Sequence, residues 1–86
     1  MKSKEIQEKI YNWAKTQNFS APYGVLEGEY TNKKGNKYLA VTFGRARKLD
    51  ATVEIYNSKF IILRTSAWGS EVFNDFSTLM IRLKEL

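Results

Sequence analysis

The spacing of apolar positions changes period twice along the chain. Ile6, Ile10, Trp13 and Ala14 fall at i, i+4, i+7 and i+8, a single apolar stripe that predicts a helix over about residues 4–17. Ser3 suits its N-cap, and Glu5 suits the positive end of the helix dipole. The run NFSAPYG ends the period: Pro22 cannot continue a helix, and it pushes Ala21 toward extended geometry.

From residue 24 the period drops to two. Residues 24–31 alternate, with Leu26 and Tyr30 on one side and Val25, Glu27 and Glu29 on the other. Residues 38–43 set Leu39, Val41 and Phe43 against Tyr38, Ala40 and Thr42, and residues 51–56 set Val53 and Ile55 against Thr52, Glu54 and Tyr56. TNKKGN between the first two runs holds two Asn and a Gly, which tolerate positive φ. Asn57-Ser58 reads as a two-residue hairpin loop before a fourth strand over 59–65. That loop would put Ile55 opposite Phe60 and Val53 opposite Ile62. Ile61 and Leu63 would then join Glu54, Tyr56 and Lys59 on a mixed face, either partly covered or a contact surface.

The period returns to helical at the end. Val72, Phe76, Leu79, Leu83 and Leu86 are spaced 4, 3, 4 and 3, with Phe73 and Met80 widening the stripe and Ser70 placed to cap it. The expected fold is α+β, a single small domain over residues 1–86. Its order is α-β-β-β-β-α, an antiparallel four-stranded meander packed by N- and C-terminal helices. A chain of this length buries roughly 60–65% of its unfolded surface, enough for one modest core. Phe, Trp and Tyr make up 14% of the residues, so most of them must sit in that core. Trp13, Phe43, Phe60, Phe73 and Phe76 are assigned there; Trp68, in SAWGS, is not assigned.

Composition narrows the chemistry. The chain has no Cys and no His. It therefore offers no thiolate or imidazole metal ligand, no disulfide, and no Ser-His or Cys-His relay. No P-loop, dinucleotide-binding or HExxH motif occurs. Glu27 and Glu29 share a strand face, the minimum for a Mg²⁺ site, but lack the further acids and lysine a nuclease needs. We expect no enzyme, no cofactor and no bound metal. MKSKEIQEKIYNW lacks the apolar core of a signal peptide, and the longest apolar run, residues 60–63, is far too short to cross a membrane. The expected location is cytoplasmic, without membrane association. The abundance of Lys, Asn, Ile and Tyr suits an AT-rich bacterial or phage coding sequence.

Charge supplies the one pointed signal. The net charge is +5. Residues 30–49 carry six basic side chains and no acid, whereas the flanking segments are neutral and −1. Lys33, Lys34 and Lys37 form one knot, and Arg45, Arg47 and Lys48 form another, at opposite ends of one strand. A track charged at both ends suits a phosphate backbone, with Tyr38, Tyr56 and in third place Tyr30 available to stack bases. Neither helix is a basic recognition helix, so single-stranded DNA or RNA fits better than duplex. NKYLAVTF lacks the Gly-Phe-Gly pattern of RNA-recognition motifs, and WGSEVF lacks the lysine cluster of double-stranded-RNA-binding domains. Two other readings stay open. The charges can simply solvate a hairpin and guard strand edges, Arg47 pairing with Asp50. Alternatively, the chain is a small interaction module, an adaptor or inhibitor that docks on an acidic protein partner. Both a monomer and a homodimer are compatible with the helical stripes.

Overall fold

The computed structural model describes residues 1–17, 24–45 and 49–86. Helix α1, Ser3–Lys15, precedes five strands: β1 Val25–Thr31, β2 Lys37–Arg45, β3 Leu49–Asn57, β4 Phe60–Thr65 and β5 Gly69–Phe73. Helix α2, Phe76–Lys84, closes the chain. The strands form one antiparallel sheet in the order β1-β2-β3-β4-β5, each paired with its sequence neighbour.

The α+β meander with terminal helices is the expected architecture, with one strand more than the sequence pattern indicated. The sequence pattern puts Val72 and Phe73 on the stripe of the second helix, with Ser70 as its cap. Gly69 instead adopts φ 75 and turns the chain back on itself, so that Thr65 faces Gly69 and Ile61 faces Phe73. Phe73 still reaches the core from a strand, which is why the helical spacing through Val72 and Phe76 was deceptive. The helix starts after Asp75, whose carboxylate accepts the Thr78 N–H at 2.7 Å. At the other end, Lys2 rather than Ser3 occupies the N-cap of α1, and Glu5 lies in the first turn as expected.

Both helices cover the same face of the sheet. Ile6, Ile10 and Ala14 of α1 and Leu79 and Leu83 of α2 are buried against Val41, Phe43, Ala51, Val53, Ile55, Ile61 and Leu63. Trp13 meets the Phe43 ring edge-on at 5.9 Å. Gln7 is a polar member of this layer: its amide donates to the Gly28 and Ala40 carbonyls, pinning α1 across β1 and β2. No helix in the described residues is long and apolar enough to cross a membrane.

The β3–β4 register differs from the expected one. Asn57 faces Phe60, Ile55 faces Ile61 and Val53 faces Leu63, with an irregularity at Tyr56. The loop is therefore Ser58-Lys59, closed by the Lys59 N–H on the Asn57 carboxamide at 2.8 Å. The extra residue at Tyr56 shifts β4 by one position, which exchanges its two faces. Ile61 and Leu63 turn into the core, while Phe60, Ile62 and Arg64 turn to the face that no helix covers. Phe60, assigned to the core from sequence, is consequently 41% exposed.

Candidate nucleic-acid interface

The uncovered face is built in rows that cross the strands. In register, Tyr30 of β1 faces Tyr38 of β2, Gly28 faces Ala40, and Ala40 faces Glu54 of β3, which faces Ile62 of β4. The first row is aromatic from end to end. Tyr30 and Tyr38 have ring centroids 5.9 Å apart, Tyr38 and Tyr56 5.1 Å, and Tyr56 and Phe60 5.2 Å, with tilts of 34–40°. These are the separations of leaning, offset-stacked rings. Tyr38 and Tyr56 are half-buried between neighbours, whereas the end rings, Tyr30 and Phe60, are 52% and 41% exposed. The ends of the ladder offer the freest ring surface. Tyr30 lies down over Gly28, where a Cβ would stand 2.8 Å from its hydroxyl oxygen and 3.0 Å from its ring.

A basic loop borders this ladder. The Asn32 side-chain oxygen accepts the N–H groups of Lys34 and Asn36, both at 2.9 Å, and the Gly35 N–H donates to the Asn32 carbonyl at 3.0 Å. Gly35 takes φ 87, a left-handed conformation that a side chain would disfavour. The loop so fixed carries Lys33, Lys34 and Lys37, all exposed. Among the described residues the ion pairs are Arg64–Glu54 and Arg82–Glu71, so these three lysines keep their charge for solvent or ligand. Loop, ladder and β4 together enclose a shallow groove of about 1080 Å³, lined by Lys33, Lys34, Lys37, Tyr38, Tyr56, Phe60 and Arg64 among others.

A chain of hydrogen bonds runs along the groove floor. Asn32 Nδ2 donates to Tyr56 Oη at 3.4 Å, and Tyr56 Oη donates to Glu54 Oε1 at 3.2 Å. Arg64 Nε donates to Glu54 Oε2 at 2.6 Å, and Arg64 Nη1 to Ser70 Oγ at 2.8 Å. Glu54 is only 8% exposed and is neutralised where it stands. Its bond raises the Arg64 guanidinium further above its ordinary value. Burial, and then the Glu54 charge, raise the Tyr38 phenol above its ordinary value. The Tyr38 hydroxyl thus stays protonated at neutral pH and adds no negative charge beside an incoming phosphate.

No protein-family model, curated protein or solved structure matches this chain. The site must therefore be read from its own chemistry.

Five of the eight residues singled out from sequence meet at this groove: Lys33, Lys34, Lys37, Tyr38 and Tyr56. Arg45 ends β2, where it pairs with Leu49. Its backbone lies eight positions beyond Lys37, roughly 27 Å along the strand, at the end of β2 away from the groove. Arg47 and Lys48, and with them the suggested Arg47–Asp50 pair, lie outside the described residues. Glu27 and Glu29 share a face, as read, but their register places them on the side of β1 opposite the groove. Sequence reasoning missed Phe60, Glu54, Arg64 and the anchoring role of Asn32. The β3–β4 register was the signal that would have found the first three.

Proposed function

We propose that this chain is a binding module for single-stranded nucleic acid, held without catalysis on the uncovered face of its sheet. The observation that carries this reading is the unbroken aromatic row Tyr30–Tyr38–Tyr56–Phe60, bordered by an acid-free lysine loop. Stacking on such rings tolerates any base, because every base has a π-face, and lysines beside it neutralise the backbone. The row spans four strands, roughly 14 Å, which favours a flexible strand whose bases turn inward over a stiff duplex. Arg45, Arg47 and Lys48, the second basic knot of the sequence, add to the charge that attracts a nucleic-acid backbone. No cofactor or metal enters this function, and its setting is the cytoplasm.

Anisotropy titration of labelled single-stranded DNA, RNA and duplex DNA across a salt series tests the reading. Three lysine contacts give a log–log slope of about −2 for a single strand, and six basic contacts about −4. Single-strand binding with a slope in that interval, weakened alike for all sequences by charge reversal at Lys33, Lys34 and Lys37, supports the proposal. Equal affinity for duplex, or a response to salt that is flat, defeats it.

A second reading rests on a different observation. Val72 and Trp68 are 63% and 57% exposed near β5, and Ile62 adjoins Val72 across the sheet. A protein partner would find apolar surface there, at the edge of the sheet opposite the basic loop. Failure of the titration turns the search to that partner.

A further inference from the structure

We propose that Arg64 selects guanine among the bases bound on this face, an inference that rests on the single-strand reading above. The guanidinium is held from two sides, by Glu54 through Nε and by Ser70 through Nη1, while its side chain stays 50% exposed. Its remaining N–H groups make no hydrogen bond within the described residues. Two properties follow from this arrangement. The buried Glu54 carboxylate cancels the charge that would attract a phosphate. The flat fork of donors survives, locked in direction, and a locked fork suits a pair of acceptors in one plane.

Guanine offers such a pair, O6 and N7 on one edge. Adenine sets an amino donor beside N7, which would face an N–H with an N–H. Thymine and uracil present one acceptor, O4, on that edge, and cytosine an amino donor. The adjacent O2 and N3 acceptors on cytosine's Watson–Crick edge, free in a single strand, make it the one rival base, and the cytosine-bearing strand tests it directly.

Placement agrees with this role. Arg64 reaches back from its own row to Glu54, whose row lies two residues, roughly 7 Å, from the aromatic row. A base stacked on Phe60 or Tyr56 thus brings its edge over the Glu54–Arg64 pair, and all four residues line the same groove. Glu54 acts as a positioning residue, because Tyr56 Oη and Arg64 Nε both bind it and so share one orientation.

The test compares labelled thymidine decamers that are unmodified or carry one central guanine, adenine or cytosine, with the matching uridine decamers as the RNA arm. The wild-type protein should bind the guanine-bearing strand about tenfold more tightly than the others, the range of one bidentate contact. Arg64→Lys keeps the charge and loses the fork, so the ratio of guanine-strand to plain-decamer affinity should fall to about one, whatever the change lends to or takes from the affinity for the plain decamer. Glu54→Gln frees the guanidinium for phosphate. It should lower the preference and steepen the single-strand salt slope by about 0.7. Circular dichroism confirms folding, and either variant alone suffices if the other fails to fold. Equal affinity for all four bases, or a preference that survives Arg64→Lys, overturns the assignment and leaves the binding face intact. No binding to any decamer overturns both.

Discussion

Replacing Gly28 by alanine should separate the binding platform from the stability of the fold. Gly28 lies within β1 and needs no left-handed backbone; its lack of a side chain matters because Tyr30 rests on it. A Cβ would meet the Tyr30 hydroxyl oxygen at 2.8 Å and two ring carbons at 3.0 Å, closer than ordinary van der Waals contact. The ring is half-exposed and free to rotate about its own bonds, so it swings outward while the sheet stays in place. Alanine narrows the unfolded ensemble, which favours folding by about 0.4–1 kcal/mol. Against that, a half-covered tyrosine loses part of its contact. Some 40–50 Å² at 25 cal/mol/Å² is about 1 kcal/mol. The two nearly cancel, and net stability should stay within about 1 kcal/mol of wild type. Binding should not escape so lightly, because one stacked base is worth about 1–3 kcal/mol, a factor of roughly five to 150. Urea unfolding and anisotropy titration on the same preparation read both quantities. Unchanged affinity would show that Tyr30 is no platform. A stability loss above about 3 kcal/mol would show that the ring supports the fold instead.

Two further outcomes concern the fold. Gln7→Leu removes the buried amide that serves the Gly28 and Ala40 carbonyls, and urea unfolding should show a loss of about 1–3 kcal/mol; a neutral or stabilising result would mean that α1 is pinned by its apolar stripe alone. The Asp75 carboxyl is held below its ordinary value by the N–H and hydroxyl of Thr78. Its contribution is therefore complete above the unfolded value, about 3.9, and is lost as pH falls through the lower folded one. Melting temperature between pH 5 and pH 2 should fall less for Asp75→Asn, which keeps a capping oxygen and does not titrate; identical curves would refute the cap's role.

Much of this architecture is legible in the chain, and the misreadings have specific physical causes. The α1 stripe, the alternation of β1 and β2 and the Asn-Gly loop depend on local spacing, which sequence displays directly. The basic segment is equally visible, since charge needs no geometry to count. The aromatic row is not visible in the same way, because four residues from four strands become neighbours only once three registers are known. A single bulged residue, Tyr56, decided whether Phe60 and Arg64 faced the core or the groove. Strand β5 was hidden for a related reason. Val72, Phe73 and Phe76 fit a helical stripe, while the Gly69 turn and the Asp75 cap that override it act through single residues.

The order β1-β2-β3-β4-β5 also shapes how the sheet is assembled. Every strand pairs only with its neighbours in sequence, through connections of two to five residues. Closing such short loops costs little chain entropy, and no pairing must wait for a distant segment to arrive. The sheet can grow one hairpin at a time, and the aromatic row lengthens by one ring with each of the first four strands. The surface read here as a binding face would then also record the sequence of its own construction.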